Sequence, residues 1–339
     1  MTATVPPLRW ALVGTGNVAA RFGQDLPLSD RHDVIAVHSR TDARGEAFAA
    51  RVGAPDWHTD LDAMLARDDI DAVYIAVPHP LHHDLAAAAI EAGKAVLLEK
   101  PFTVTAAEAR DLVDRATARG VFLMEAMWTR FLPHMVEVRR LLAANRLGDL
   151  RLVTAEHGVW FAHNPSHRMF DPALGGGALL DLAVYPISFA SMVLGVPRAV
   201  TASATFTDTG VDAQTVVVLD HDGGRRAVTT SSMEAWMANR AVIAGEDARL
   251  EIDRSWLHPS SFTVTDRDGH TERHEFSVQG TGYRFQADEV ARCVRAGLLS
   301  SDVMSLEETC AVMEVLDAAR TQIGLRYPGE DDAGHEKKS

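Results

Sequence analysis

The chain has 339 residues, 47% hydrophobic and 24% charged, with a net charge of −14. That length leaves room for two cores, and the acidic balance argues against a nucleic-acid backbone or an anionic membrane as partner. Met1 to Pro7 lacks the regions of a signal peptide, and no apolar run reads as long enough to span a bilayer. The only cysteines, Cys293 and Cys310, lack metal-site spacing, which suits a reducing cytoplasm.

Leu8 to Val13 reads as a short buried strand, followed at once by Gly14-Thr15-Gly16-Asn17-Val18-Ala19. This is G-x-G-x-x-A opening a helix, the dinucleotide-binding fingerprint in its strand–turn–helix context. Gly14 allows the tight turn, Gly16 lets the backbone approach a pyrophosphate, and Ala19 lets the helix pack close to the sheet. The second strand, Val34 to His38, ends in Ser39-Arg40-Thr41, with Arg44 one turn on. A carboxylate for two ribose hydroxyls is missing here. The guanidinium in its place suits a 2′-phosphate, so NADP is expected in preference to NAD.

Asp71 to Val77 reads as the next buried strand and ends in Pro78-His79-Pro80, before a helix-like run from Leu81 to Ala92 with His82 and His83 at its start. Ala95 to Leu98 is apolar without alternation, as in a strand buried on both faces, and it stops at Glu99-Lys100-Pro101. Pro101 keeps Lys100 extended, which holds an ammonium at the carboxyl end of a buried strand, where open α/β sheets bind ligands. Thr105 and Glu108 form a capping box, Gly120 stops that helix, and Val121 to Ala126 reads as another strand. Strands and helices alternate throughout, which predicts a parallel, doubly wound sheet.

Met127 to Pro133 reads as a crossover between domains, carrying Trp128 and Arg130. Leu150 to Phe161 has a strand pattern, and the loop from Ala162 to Ala173 is rich in His and Pro. A glycine-led apolar helix follows from Gly175, with Asp181 and Tyr185 four apart on one face and Pro186 expected to kink it just past Tyr185. From Ala199 to Phe276 the pattern is strands without helices, with a hairpin at Asp222-Gly223-Gly224, which predicts an antiparallel sheet whose strands run one after another. Two helices, Tyr283 to Ala296 and Leu306 to Ile323, close the chain. His163 and His167 are four apart in a Pro-rich segment without helical periodicity, so no metal site is expected there.

With the G-x-G-x-x-A turn, Glu99-Lys100-Pro101 and the glycine-led helix in hand, the chain resembles the glucose–fructose oxidoreductase and inositol dehydrogenase family (Gfo/Idh/MocA) over roughly Leu8 to Tyr327. The resemblance implies an α/β fold: an N-terminal Rossmann domain (1–127) and a C-terminal α+β domain with an open antiparallel sheet (128–328). Residues 329–339 are expected to be a disordered tail. The open sheet implies a homodimer or homotetramer. The family's catalytic lysine falls on Lys100, with a Lys–Pro bond that is often cis, and its catalytic-helix aspartate falls on Asp181. Tyr185 looks like the glucose–fructose oxidoreductase branch and like the dihydrodiol dehydrogenase and NADP-linked D-xylose dehydrogenase branch, whereas His79 and the run Met124 to Phe131 look most like the second of these. Ala183 stands where the pattern usually has glycine.

The implied activity is hydride transfer between a nicotinamide and a hydroxyl-bearing carbon of a sugar, cyclic polyol or trans-dihydrodiol. A free phenol, with a pKa of about 10, is a poor base at neutral pH. Lys100 would stabilise the phenolate of Tyr185 so that it takes the substrate proton. Asp181 would orient Lys100 or bind the substrate, and His79 would hold a second hydroxyl or relay the proton. Trp128 and Phe161 are candidates for stacking on a ring. Candidate cofactor contacts are Gly14, Thr15, Gly16, Asn17, Val18, Ser39, Arg40, Arg44, Val77, Pro78, His82, Glu99, Lys100, Trp128 and Arg130. Two rivals remain: a glycosidase-type redox hydrolase dependent on NAD, and a non-catalytic dinucleotide-binding regulator.

Overall fold

The structure, a computed structural model, describes residues 6–328. The expected disordered tail, 329–339, lies outside the described residues. Two compact units divide the described residues, one reaching to residue 136 and taking in 276–310, the other of 137–275 and the stretch from 311 on. The stretches 128–136 and 276–310 therefore group with the N-terminal strands, whereas the expected boundary at 127 put them in the second domain.

In the first unit, β1 (Leu8–Val13), β2 (His32–His38), β3 (Asp56–His58), β4 (Ala72–Ile75), β5 (Ala95–Glu99) and β6 (Leu123–Ala126) pair in parallel in the order β3-β2-β1-β4-β5-β6. The order reverses between β1 and β4, which is where such sheets bind ligands. The helices between these strands are α1 (Asn17–Asp25), α2 (Asp42–Val52), α3 (Leu61–Leu65), α4 (His82–Glu91) and α5 (Ala106–Arg119). Every residue of β4 and β5 is buried, as their unbroken apolar runs require. The Thr105–Glu108 capping box forms at the start of α5, and Gly120 ends it in the left-handed region at φ 65°.

The remaining helices are α6 (Pro133–Ala143), α7 (Val184–Leu194), α8 (Arg284–Arg295) and α9 (Leu306–Ile323). The second unit holds β7 (Leu150–Gly158), β8 (Ala199–Phe206), β9 (Asp212–Asp220), β10 (Arg226–Ser232), β11 (Ala241–Gly245), β12 (Ala248–Ile252), β13 (Phe262–Asp266) and β14 (Thr271–His274). They pair in the order β14-β13-β12-β11-β7-β10-β9-β8. The expected run of sequential antiparallel strands is corrected at one point: β7 inserts between β10 and β11 and lies parallel to β10. Its alternating buried and exposed residues fit either an edge or a centre, so local pattern could not place it.

A second correction concerns membrane-spanning length. Pro172–Leu194 is long and apolar enough by composition, but 83% of its window is buried inside the protein. Its apolar character is that of a core helix.

Glu125, in β6, is fully buried and accepts a hydrogen bond from Thr309 Oγ1 at 3.2 Å. Burial pushes its pKa up from 4.5 to about 7, against the pull of Thr309 and Arg130. The folded chain thus keeps a proton that the unfolded chain releases, so this carboxyl costs stability as pH rises from 4.5 through about 7. Glu125→Gln is expected to raise the Tm measured by calorimetry at about pH 8, with the gain shrinking at about pH 5. A Tm difference independent of pH would reject this account.

Candidate active site

The cofactor end is built by the turn after β1. Gly14 has φ +107°, and a Cβ there would lie 2.2 Å from the carbonyl oxygen of Ala76, so only glycine fits. Around Gly16, by contrast, nothing lies within 4 Å of the Cβ position. Gly16 caps α1 without a side-chain hydrogen bond, and the first turn carries no acid. The leading N–H groups of α1, at Asn17, Val18 and Ala19, are therefore left for an anion, and Asn17 and Val18 are exposed. Thr15 is half-buried beside them.

Ser39 is buried at the end of β2 and its hydroxyl caps the Thr41 N–H at 3.5 Å. Arg40 and Arg44 are exposed, and neither is engaged in an ion pair among the described residues. Both guanidiniums are available for a phosphate. The residues present fit a dinucleotide: open backbone at Gly16, and two basic groups at the ribose end.

The turn after β5 is held from several sides. Glu99 accepts the Tyr74 hydroxyl at 2.5 Å on one oxygen and the Lys100 N–H at 3.2 Å on the other. The ring of His82, fully buried, stands 2.9 Å from the Val77 carbonyl and 3.0 Å from that of Pro101. Burial pushes its pKa down to about 4, so at neutral pH the ring carries a single N–H, which donates to the carbonyls on one side only, Val77 from Nε2 or Pro101 from Nδ1. Glu99 and His82, expected at the cofactor, thus bind backbone and shape the turn. Lys100 itself is half-buried, and its peptide bond to Pro101 is cis. His79 is 6% exposed and packs edge-on to His82 at 5.7 Å, while Val77 is half-buried and Pro78 exposed next to them.

The crossover residues also differ from expectation. Arg130, expected to reach the cofactor, is 4% exposed and binds both oxygens of Glu308, at 2.7 and 3.0 Å. A guanidinium taken out of water needs such a partner. Trp128 has one face stacked on Tyr283, with centroids 4.5 Å apart. Tyr283 is placed in turn by Asp25, whose carboxylate accepts the backbone N–H groups of Thr281, Gly282 and Tyr283.

In the second unit, the glycine-led helix start has a packing cause. A Cβ on Gly176 would meet the carbonyl oxygens of Arg168 and Met169 at 2.7 Å, and one on Gly177 would sit 2.2 Å from Asp212 Oδ1. The buried Asp212 accepts the Leu179 N–H at 2.7 Å, capping the helix from a strand. Burial pushes its pKa up to about 7. The expected kink past Tyr185 takes another form: residues Leu179–Ala183 wind as a π-helical turn and α7 then runs on through Pro186. Pro186 has no N–H for the Leu182 carbonyl, and the buried His157 stands with Nδ1 3.3 Å from it. The same ring packs edge-on to Tyr185 at 5.2 Å, and Tyr185 is 7% exposed.

Asp181, 6% exposed, is bound by both terminal nitrogens of Arg168, at 3.3 and 3.1 Å. Phe161 packs against a core of Met169, Phe170 and Leu182, as a core side chain rather than an open ring platform. His163 binds Asp208 at 2.9 Å, and His167 packs on Phe161. Arg168, His157 and Asp212 were not singled out in the sequence. Arg168 lies in an aperiodic loop, and Asp212 and His157 act on residues that only the fold brings near.

A glycine turn shaped for a pyrophosphate, on a sheet with a ligand-binding switch point, defines a dinucleotide-binding oxidoreductase. The chain belongs to the Gfo/Idh/MocA family: residues 8–127 match "Oxidoreductase family, NAD-binding Rossmann fold", and residues 135–251 match "GFO/IDH/MocA C-terminal domain". It is an NAD(P)-dependent dehydrogenase. It is similar to the trans-1,2-dihydrobenzene-1,2-diol dehydrogenase of Mus musculus, 36% identical over 336 residues covering 95% of this chain and 98% of that protein. The Xenopus tropicalis enzyme of the same name is 33% identical over 330 residues, covering 94% and 99%. Among solved structures, KijD10, a 3-ketoreductase from Actinomadura kijaniata in complex with NADP and TDP-benzene, is 28% identical with a TM-score of 0.83, covering 94% of this chain and 98% of that one.

Gly14→Ala is expected to weaken NADP binding at least tenfold, because the turn must move off the Ala76 carbonyl. Fluorescence titration of NADP checks it, and unchanged affinity would show that this turn does not carry the cofactor.

Proposed function

We propose that the chain is an NADP-dependent dehydrogenase that oxidises a hydroxyl-bearing carbon of a cyclic polyol, aldose or trans-dihydrodiol. The observation that carries it is Lys100, half-buried at the carboxyl end of a fully buried strand, its backbone held by Glu99 and next to the His82 contact at Pro101. The dinucleotide, when bound, supplies the carbon that accepts hydride. Tyr185 takes the proton from the substrate hydroxyl as general base. Lys100 stabilises the Tyr185 phenolate that takes this proton, Asp181 accepts a hydrogen bond from the substrate, and His79 holds a further hydroxyl. Gly14, Gly16 and the start of α1 bind the pyrophosphate, and Arg40 and Arg44 bind the 2′-phosphate.

Several observations support this reading. Among the described residues Arg40 and Arg44 have no ion-pair partner, whereas Arg130 has one. KijD10 was solved with NADP, and also as lysine and tyrosine variants. The proposal includes a homodimer or homotetramer through the second sheet, supported by the exposed Leu152, Phe206 and Val216 on its strands. It also includes a cytoplasmic location, supported by the sparing use of cysteine, two in 339 residues and without metal-site spacing.

The test is one spectrophotometric panel, NADP and NAD each against aldoses, inositols and dihydrodiols, with wild type and Lys100→Met. NADP reduction faster than NAD reduction is expected, and a loss in Lys100→Met of about a hundredfold or more at unchanged NADP affinity. Unchanged turnover in that variant, or a preference for NAD, would overturn the assignment of Lys100 or of Arg40 respectively.

A further inference from the structure

Arg168 sits where no helix or strand periodicity points, yet it is firmly placed. Its neighbours Met169 and Phe170 are 0% and 2% exposed and anchor the loop in the core. The Gly177 N–H binds the Met169 carbonyl at 2.9 Å, the Gly176 N–H binds that of Asp171 at 3.0 Å, and the Phe170 N–H binds that of His167 at 2.9 Å. Gly176 lets the loop's carbonyls close on the helix start, since a Cβ would meet Arg168 O at 2.7 Å. The side chain then reaches Asp181 with both terminal nitrogens, although 46% of it stays exposed against 8% for Asp181.

A guanidinium has five N–H donors in a rigid fork. Two of them bind Asp181, which leaves three on a half-exposed group beside a buried acceptor. Donor and acceptor side by side match two neighbouring hydroxyls, one giving its proton to the carboxylate and the other accepting from the guanidinium. The pair is neutral in sum, so it offers a sugar phosphate or sugar acid little that it does not offer a neutral polyol.

We propose that Arg168 and Asp181 together read a neutral vicinal diol, with Arg168 as the residue that selects for the second hydroxyl. The proposal rests on the dehydrogenase reading for the chemistry at the first hydroxyl, but the diol contact is a binding property and is measurable without turnover. A site built to bind a hydroxyl rejects the analogue lacking it, because its polar groups are left unpaired.

The probes are trans-1,2-cyclohexanediol and cyclohexanol, which differ by one hydroxyl. With NADP-saturated protein, wild type is expected to favour the diol in kcat/KM by about a hundredfold or more. Arg168→Met lowers the diol value by about a hundredfold and the cyclohexanol value by less than about threefold. Arg168→Lys, which keeps the charge but loses the fork, falls between them. Equal losses on both substrates would show that Arg168 only positions Asp181, and would overturn the proposal, as would tighter binding of glucose 6-phosphate than of glucose. If wild type reduces NADP with nothing, the dehydrogenase reading fails, and calorimetric titration of the diol into the NADP-loaded protein decides this one. Binding weakened tenfold or more in Arg168→Met supports it, and no binding or equal binding overturns it. The Tm of each variant controls for folding, with Arg168→Lys as the milder change.

Discussion

A buried backbone carbonyl must be hydrogen-bonded, and proline denies it a partner. Two of the residues proposed to act on the substrate stand immediately before a proline, Lys100 before Pro101 and Tyr185 before Pro186. In each place a buried histidine meets the nearby carbonyls: His82 at Val77 and Pro101, His157 at Leu182. Each ring adds a polar contact to backbone next to the turn or helix that carries the lysine or the tyrosine. They fix the backbone from which the lysine and the tyrosine project, each within its own unit.

The second organising factor is which charges already have partners. Arg130 is neutralised by Glu308, and Asp181 by Arg168. Arg40 and Arg44 have no ion-pair partner among the described residues of a chain whose net charge is −14. An acidic protein can still bind an anionic cofactor when a few cations and a helix N-terminus are left for it. The Asp181–Arg168 pair has the opposite character, presenting donor and acceptor with no net charge.

Much of the fold was legible because it is local. The alternation of strand and helix, the Thr105–Glu108 cap and the Gly14–Ala19 turn each lie within a few residues and appear as expected. What the sequence hid depends on distance. Arg130 and Glu308 are 178 residues apart, Asp212 caps Leu179 from 33 residues away, and β7 pairs with β10 across the intervening α7, β8 and β9 and with β11 beyond them. Arg130 is a candidate cofactor contact in the sequence, and its partner Glu308 is visible only in the fold. The glycines before Asp181 were visible but not their reason, which is close packing on loop carbonyls and Asp212.

The central claim is that Tyr185 moves the proton while the first unit holds the cofactor. Its most direct test is the rate of NADPH formation in a single turnover of Tyr185→Phe, from about pH 6 to about pH 10. The account predicts a loss of about a thousandfold, NADP affinity within about threefold of wild type, and a residual rate without the wild-type ionisation. A wild-type rate with the wild-type pH profile would contradict it.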